Sequence, residues 1–295
     1  MKYTNKHNFP DFVKQWLEFD EYDYDENAIS ATTLMKPARA YALGKKHKDE
    51  LEMDLSDLIA SRYGTAIHDS VEKINLLGCK QEERLKKAVM NRILTGKFDI
   101  LKQIDHRWEL IDVKSTSVWT FIYGSRDEDY IKQLSIYRWL AVQNQYDVLQ
   151  KAKIWLIFTD WSQSKAKQES YPDTRIVIKE VDLWSDEKTL KYLGERITLF
   201  NDVEKMEEKD MPDCTDKELW AKEDTWAIMK EGRKSAVKVC KSETEADEVM
   251  RALDEKHKTV HRPGKVARCK YCNVRKFCSQ YKKLVSEGRC EDLDV

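Results

Sequence analysis

Asp99, Asp112 and Lys114 are the residues of this 295-residue chain whose types and spacing could do chemistry together. They lie in Gly96-Lys97-Phe98-Asp99 and in Glu109-Leu110-Ile111-Asp112-Val113-Lys114, two β-prone runs flanking the polar turn Asp105-His106-Arg107. That pattern predicts a hairpin. Alternation along a strand sends Asp112 and Lys114 out of the same face, and the hairpin brings Asp99 across from the partner strand. Paired carboxylates suit a hard divalent cation, and an adjacent lysine can position or deprotonate a water. The arrangement suits hydrolysis of a phosphodiester. Asp and Lys two apart on a strand also make ordinary surface ion pairs, so the trio needs support from elsewhere in the chain.

Two further constellations supply it. In Tyr63-Gly64-Thr65-Ala66-Ile67-His68-Asp69-Ser70-Val71-Glu72, His68 and Glu72 are four apart and share a helix face. Gly64 and Thr65 just before His68 suggest a close approach that a plain core histidine does not need. In Gln133-Leu134-Ser135-Ile136-Tyr137, Gln133 and Tyr137 share a face and offer an amide and a phenol to phosphates or bases.

The elements that must hold these groups follow from periodicity. Helices are expected near Phe12–Phe19 and over Ala31–Gly44, Ser61–Leu77, Gln81–Asn91, Asp127–Gln145 and Ser185–Lys209. Thr32 or Thr33 could cap the second, with Pro37 tolerated in its first turns. Ala152–Trp161 reads as a buried strand, and Arg175–Leu183 as one nearer an edge. The order indicates an α/β (α+β) fold, a mixed central sheet flanked by helices. Beyond Pro212 the texture changes. Trp226–Met229 and Ser235–Cys240 form a hairpin candidate, and Ser242-Glu243-Thr244-Glu245 is a capping box opening a helix to about Lys258.

Taken in order, Gly-Thr-x-x-His, Gly-x-x-Asp, Asp-x-Lys and Gln-x-x-x-Tyr resemble the RecB-type branch of the PD-(D/E)XK nucleases. The resemblance implies a restriction-endonuclease-like core over residues 31–210, with 1–30 as an N-terminal segment and 211–295 as a C-terminal extension. It makes His68, Asp99 and Asp112 ligands of Mg²⁺ or Mn²⁺, with the Val113 carbonyl completing the site. Lys114 becomes the catalytic lysine, beside Asp99 and Asp112, and Gln133 and Tyr137 the DNA-side motif. Phe98 stands where other branches have proline, and Asp112 where glutamate is more usual. The implied activity is a metal-dependent deoxyribonuclease, above all an exonuclease acting on DNA ends or single strands in recombination or processing, as in phages and mobile elements. An endonuclease of the same superfamily and an inactive DNA-binding module are the alternatives. The intact Asp99, Asp112 and Lys114 argue against the second.

Cys269-Lys270-Tyr271-Cys272 and Cys278 place three thiols close enough to hold a metal. A closed site needs a fourth, for which Cys214 is the choice, with Cys240, Cys79 and Cys290 as rivals. Cys240 ends an apolar run and is more simply a core residue. Some RecB-type nucleases carry three C-terminal cysteines and one upstream on a [4Fe–4S] cluster. There the upstream cysteine precedes the core, whereas Cys214 follows it, which leaves iron–sulfur and zinc both open.

Net charge is only −1 and predicts no partner, but charge is unevenly placed. Six Asp/Glu and no Lys/Arg lie between Leu17 and Asn27, and nine Lys/Arg and no Asp/Glu between Lys258 and Lys283. Solvated faces explain such runs taken singly. The basic run also holds the cysteines, which suggests salt-dependent phosphate contacts to DNA. No apolar stretch approaches the roughly 20 residues of a membrane span, and the first residues lack the apolar core of a signal peptide. The expectation is a cytoplasmic protein of a bacterium or host cell, with its seven cysteines reduced or metal-bound. No phosphate loop is present, so no motor is built in.

Overall fold

The computed structural model describes residues 2–19 and 28–293, so of the acidic run at 17–27 only Leu17, Glu18 and Phe19 fall within the described residues. The chain forms two compact units, one of Lys2–Met35 with Glu52–Asn201 and the other of Lys36–Leu51 with Asp202–Val295. Among the described residues no helix is long and apolar enough to cross a membrane.

The first unit is built on strands β1 (Lys2–Thr4), β2 (Ala28–Ser30), β3 (Glu52–Asp54), β4 (Cys79–Gln81), β5 (Arg84–Val89), β6 (Arg92–Lys97), β7 (Ile100–Ile104), β8 (Arg107–Thr116), β9 (Val148–Phe158) and β10 (Ile176–Asp182). Its main sheet is mixed, in the order β10-β9-β8-β7-β4. β8 and β9 run parallel, and the other neighbours antiparallel. A parallel pair needs a long crossover, and helix Asp127–Gln143 lies between these two strands in the chain. Glu109 to Val113 are all buried, as expected of a strand covered on both faces. On one side Val71 and Ile67 of helix Ile59–Glu72 pack on Ile100, Ile111 and Val113. Helix Asp127–Gln143 buries Leu134, Ile136, Tyr137 and Leu140. Each fully buried side chain of this size contributes ~1.5–3 kcal/mol from removal of apolar surface from water. A second sheet, β2-β6-β5, leads from β6 directly into Phe98 and Asp99. This is the mixed, helix-flanked sheet expected from the sequence.

The expected hairpin around Asp105 is β7–β8, with Ile100 opposite Ile111 and Asp105 at φ +54° in the turn. Other expectations fail locally. Gln81–Asn91 is strand, not helix. Leu85 and Val89, four apart and both buried, satisfy a strand's period as well as a helix's, and pairing with β6 decides. The helix expected over Ala31–Gly44 is two, Ala31–Leu34 and Ala38–Lys46. Pro37 disfavours helical geometry in the residue before it. The cap of the first is Ser30, whose Oγ accepts the Thr33 N–H at 3.0 Å, rather than Thr32 or Thr33. The helix expected over Ser185–Lys209 ends at Val203.

In the second unit β11 (Thr225–Lys230), β12 (Lys238–Cys240) and β13 (His257–Arg262) form an antiparallel sheet in the order β12-β11-β13. Helix Glu243–Met250 closes its core through Ile228, Cys240 and Ala246, so Cys240 is a core residue. The reciprocal arm of the expected capping box goes elsewhere, because Glu245 accepts from the N–H of Lys241. That helix stops short of Lys258. β13 offers only Val260 as an apolar residue, too little for the sequence to mark it as strand.

Candidate active site and cysteine centre

The 59–72 helix lies on the sheet by its Ile67–Val71 face, and this carries His68 to the edge where β6 runs into Asp99. His68 Nδ1 lies 3.3 Å from Glu82 Oε1 and 3.6 Å from Asp99 Oδ1. Donor atoms of His68, Glu82 and Asp99 all fall within 4.8 Å of one another. Glu82 was not singled out from the sequence, because its segment reads as helix. It sits in the turn between β4 and β5 at φ +52°, a left-handed conformation that costs a residue with a side chain of order 1–3 kcal/mol. Its N–H donates to the Asp99 carbonyl at 2.9 Å and its Oε2 pairs with Lys97 at 2.7 Å, which holds the carboxylate in place. The only sequence signal was two adjacent acids, Glu82-Glu83, beside an apolar-periodic run.

Asp112 and Lys114 share a face of β8, and Lys114 Nζ lies 2.7 Å from Asp112 Oδ2. The contact is short but poorly directed. Both Asp112 oxygens are buried, and among the described residues neither accepts a well-formed hydrogen bond. Asp112 is not part of the group formed by His68, Glu82 and Asp99, and its charge acts on Lys114 and Asp99. The Val113 N–H donates to Asp99 Oδ2 at 2.6 Å, so the backbone beside Asp112 orients the other carboxylate. Gln133 Nε2 donates to the Tyr137 hydroxyl at 2.9 Å, so these two residues address each other first. Glu72 lines the same cleft, but the partner of His68 is Glu82. Gly64 meets Ser115 Oγ only at ordinary contact distance, 3.6 Å from an added Cβ, so the close approach expected there does not occur.

The electrostatics are those of three carboxylates and three basic groups packed into a part-buried cluster. Burial, and then the Asp112 charge, pushes Asp99 up to about 7. The Glu82 carboxylate holds His68 above the ordinary histidine range against the effect of burial. Burial alone would raise Glu82, but His68 and Lys97 bring it below the usual carboxylate range. Burial would lower Lys114, yet Asp112 and Asp99 keep it firmly protonated. Burial raises the Tyr137 phenol, which stays neutral. A divalent cation fits this donor set. It would satisfy the buried, unsatisfied Asp112 carboxylate and relieve repulsion that otherwise opposes folding. A cleft of ≈ 740 Å³, lined by His68, Glu82, Asp99, Lys114, Gln133 and Tyr137, opens onto these groups.

In the second unit a cavity of ≈ 40 Å³ is lined by Cys214, Cys269, Cys272 and Cys278 together with apolar groups such as Leu43 and Val274. Cys290 is not among the lining residues, though its thiol lies against Cys269. Burial pushes the Cys214 and Cys269 thiols up to about 12, and the neighbouring sulfurs push the same way. Arg39, only 2 % exposed, donates from Nε to Cys278 Sγ at 3.4 Å and from Nη1 to the Met211 carbonyl at 2.8 Å. It also pairs with Glu208. Four sulfurs around one small cavity, with a buried guanidinium alongside, fit a cationic centre bound through thiolates.

Residues 81–279 match the model of a family described as the PD-(D/E)XK nuclease superfamily. A comparison with curated proteins finds no match. Among solved structures the chain is similar to the crystal structure of SSO0001, at 18% identity and a TM-score of 0.44, over 64% of this chain and 84% of that one. It is also similar to a phage-related exonuclease from Haemophilus somnus 129PT, at 15% identity and a TM-score of 0.29, over 65% and 79% of the two chains.

Proposed function

The chain belongs to the PD-(D/E)XK nuclease superfamily, and from that premise we propose that it is a metal-dependent deoxyribonuclease that degrades DNA from its ends. The observation that carries the reading is the cluster of His68, Glu82 and Asp99 beside a buried, unsatisfied Asp112 and its Lys114. Action on ends rests on the order of the His68, Asp99, Asp112–Lys114 and Gln133–Tyr137 motifs, which resembles the RecB-type branch.

His68, Glu82, Asp99 and Asp112 would hold Mg²⁺ or Mn²⁺, which supplies Lewis acidity toward the scissile phosphate and lowers the pKa of a bound water. Lys114, kept protonated by Asp112, orients the attacking water and stabilises the negative charge that develops on phosphorus-bound oxygen. Gln133 fixes the Tyr137 hydroxyl, whose proton is then directed to a phosphate oxygen of the strand. Cys214, Cys269, Cys272 and Cys278 hold a structural centre, zinc or a [4Fe–4S] cluster, that ties Cys214 to the C-terminal segment.

The test supplies Mg²⁺ or Mn²⁺ with linear and covalently closed circular DNA. Wild type degrades the linear form and spares the circle, and Lys114→Ala degrades neither. Equal degradation by both proteins refutes the assignment, and cleavage of the circle makes the enzyme an endonuclease.

A further inference from the structure

We propose that Trp16 and Phe19 form a base-stacking platform at the mouth of the active-site cleft and that it selects single-stranded over duplex DNA. The inference rests on the nuclease reading and adds to it the strand preference. Helix Asp11–Glu18 turns an aromatic stripe to solvent, with Phe12 73%, Trp16 47% and Phe19 60% exposed. These positions are spaced four and three apart and so follow one face of the helix and its C-cap. Large aromatic rings left in water forgo burial that a core would reward, and a run of them on one face marks a binding surface.

Three observations identify the occupant as unpaired bases. First, Trp16 and Phe19 line the same cleft as His68, Asp99 and Lys114, so a strand reaching those groups passes the two rings. Second, Arg62, Arg84 and Lys97 line that cleft too, among the acids Asp69 and Glu72, so phosphates of a strand entering it meet cations as well as rings. Alternating cations and aromatic faces are how single strands are held without regard to sequence. Third, the backbone beneath the platform is anchored. Leu17 is fully buried between the exposed neighbours, and Arg62 Nε donates to the Leu17 carbonyl at 2.9 Å. Arg62 belongs to the helix that carries His68, so the chain segment bearing the rings is tied to that helix. Within a duplex the bases stack on one another and only the terminal pair exposes a ring face, whereas every base of a single strand or frayed end can offer one.

The experiment titrates the full-length protein into a fluorescein-labelled 20-mer and into the matching blunt duplex, with Ca²⁺ in place of the catalytic ion. Trp16→Ala and Phe19→Ala are each expected to weaken single-strand binding by about tenfold or more. Duplex binding should stay within about twofold, and Trp16→Phe should retain most of the single-strand affinity. Loss of both affinities together, or of neither, overturns the proposal. The second result would leave the stripe to a protein partner. Equal melting temperatures for wild type and Phe19→Ala, which is the more exposed site, exclude misfolding as the cause. A wild type that binds through these rings yet cuts nothing in Mg²⁺ or Mn²⁺ defeats the nuclease reading alone. Cleavage with an unchanged strand preference in Trp16→Ala defeats the platform alone.

Discussion

Gly96 lies directly under the ring of Tyr137. A Cβ added there would stand 2.9 Å from Tyr137 Cδ1 and 2.8 Å from Leu140 Cδ1, closer than such atoms approach. The glycine of the Gly-x-x-Asp motif is therefore what lets helix Asp127–Gln143 come down on β6 and seat the Tyr137 hydroxyl beside Gln133 and Lys114. Gly96→Ala must push the ring or the strand away. The expected cost is about 1–3 kcal/mol of stability from overpacking. A fall in kcat of tenfold or more should follow from displaced groups in the cleft. Denaturant unfolding and single-turnover cleavage measure the two effects, and an Ala variant with unchanged kcat would show that the Tyr137 position is not critical.

Glu82 lies with His68 and Asp99 in a group that could hold a metal ion, and its removal should then read out in binding as well as in rate. Glu82→Gln keeps the shape of the side chain but removes a charged donor 3.3 Å from His68. Mn²⁺ affinity, measured by calorimetry, should fall at least tenfold, and the rise in melting temperature produced by saturating Mn²⁺ should shrink with it. Glu83→Gln, next in the chain and bonded instead to the Tyr146 hydroxyl at 2.9 Å, should leave Mn²⁺ binding unchanged. If the two variants bind Mn²⁺ alike, Glu82 is only the partner of Lys97.

The contrast between Asp112–Lys114 and Glu82 explains how much was legible in the sequence. A two-residue spacing on a β-prone strand fixes both side chains on one face with no knowledge of the fold, and the Asp105 turn fixes the hairpin that carries Asp99. Glu82 reaches the site only because a tight turn in a left-handed conformation joins two strands, and local pattern does not encode that. Leu85 and Val89 mislead for the same reason, since a spacing of four serves either period until β6 supplies a partner. Cys214 was legible as a fourth thiol only because it stands where the chain leaves the core and the hairpin and helix after it could bring Cys269 back beside it. What gathers them is tertiary, including a helix at Ala38–Lys46 that folds with residues far from it in sequence. Arg39, which bonds to Cys278, carried no signal at all.

Arg39 should prove the keystone of the cysteine centre. It is buried with bonds to Cys278, Met211, Glu208 and Ser279, and removing one member of a buried charged network costs about 3–5 kcal/mol. Arg39→Met is expected to lose that stability in denaturant unfolding. It should also lose metal during anaerobic purification, whereas Arg39→Lys keeps the charge but not the forked donors and should fall between. Metal analysis with a visible spectrum separates zinc from iron–sulfur in the same samples. Serine at Cys214, Cys269, Cys272 or Cys278 should release the metal, and serine at Cys290 or Cys240 should not. Full retention in Cys214→Ser, with loss in Cys290→Ser, would move the fourth ligand to Cys290.

The second unit carries its own candidate for holding DNA, and salt should reveal it. A groove of ≈ 600 Å³ on the β11–β13 side is lined by Lys230, Arg233, Lys256, Lys258 and Arg262 over Met229 and Val260. Glu231 and Glu255 line it too, but among the described residues none of the five cations closes a salt bridge with them. Cations gathered along one groove of a nuclease have phosphates as natural partners, and each phosphate they neutralise releases counterions. Each such contact adds about 0.9 to the slope of log K against log salt for duplex DNA. The triple variant Lys230→Ala/Lys256→Ala/Lys258→Ala should therefore bind a 30-base-pair duplex with a slope shallower by about two to three. The same variant should lose affinity for single strands as well, because phosphates are common to both forms. That sets it apart from Trp16→Ala, whose loss should be confined to single strands and nearly independent of salt. If the triple variant keeps the wild-type slope on both substrates, DNA does not run through this groove, and the cations serve only to solvate the module.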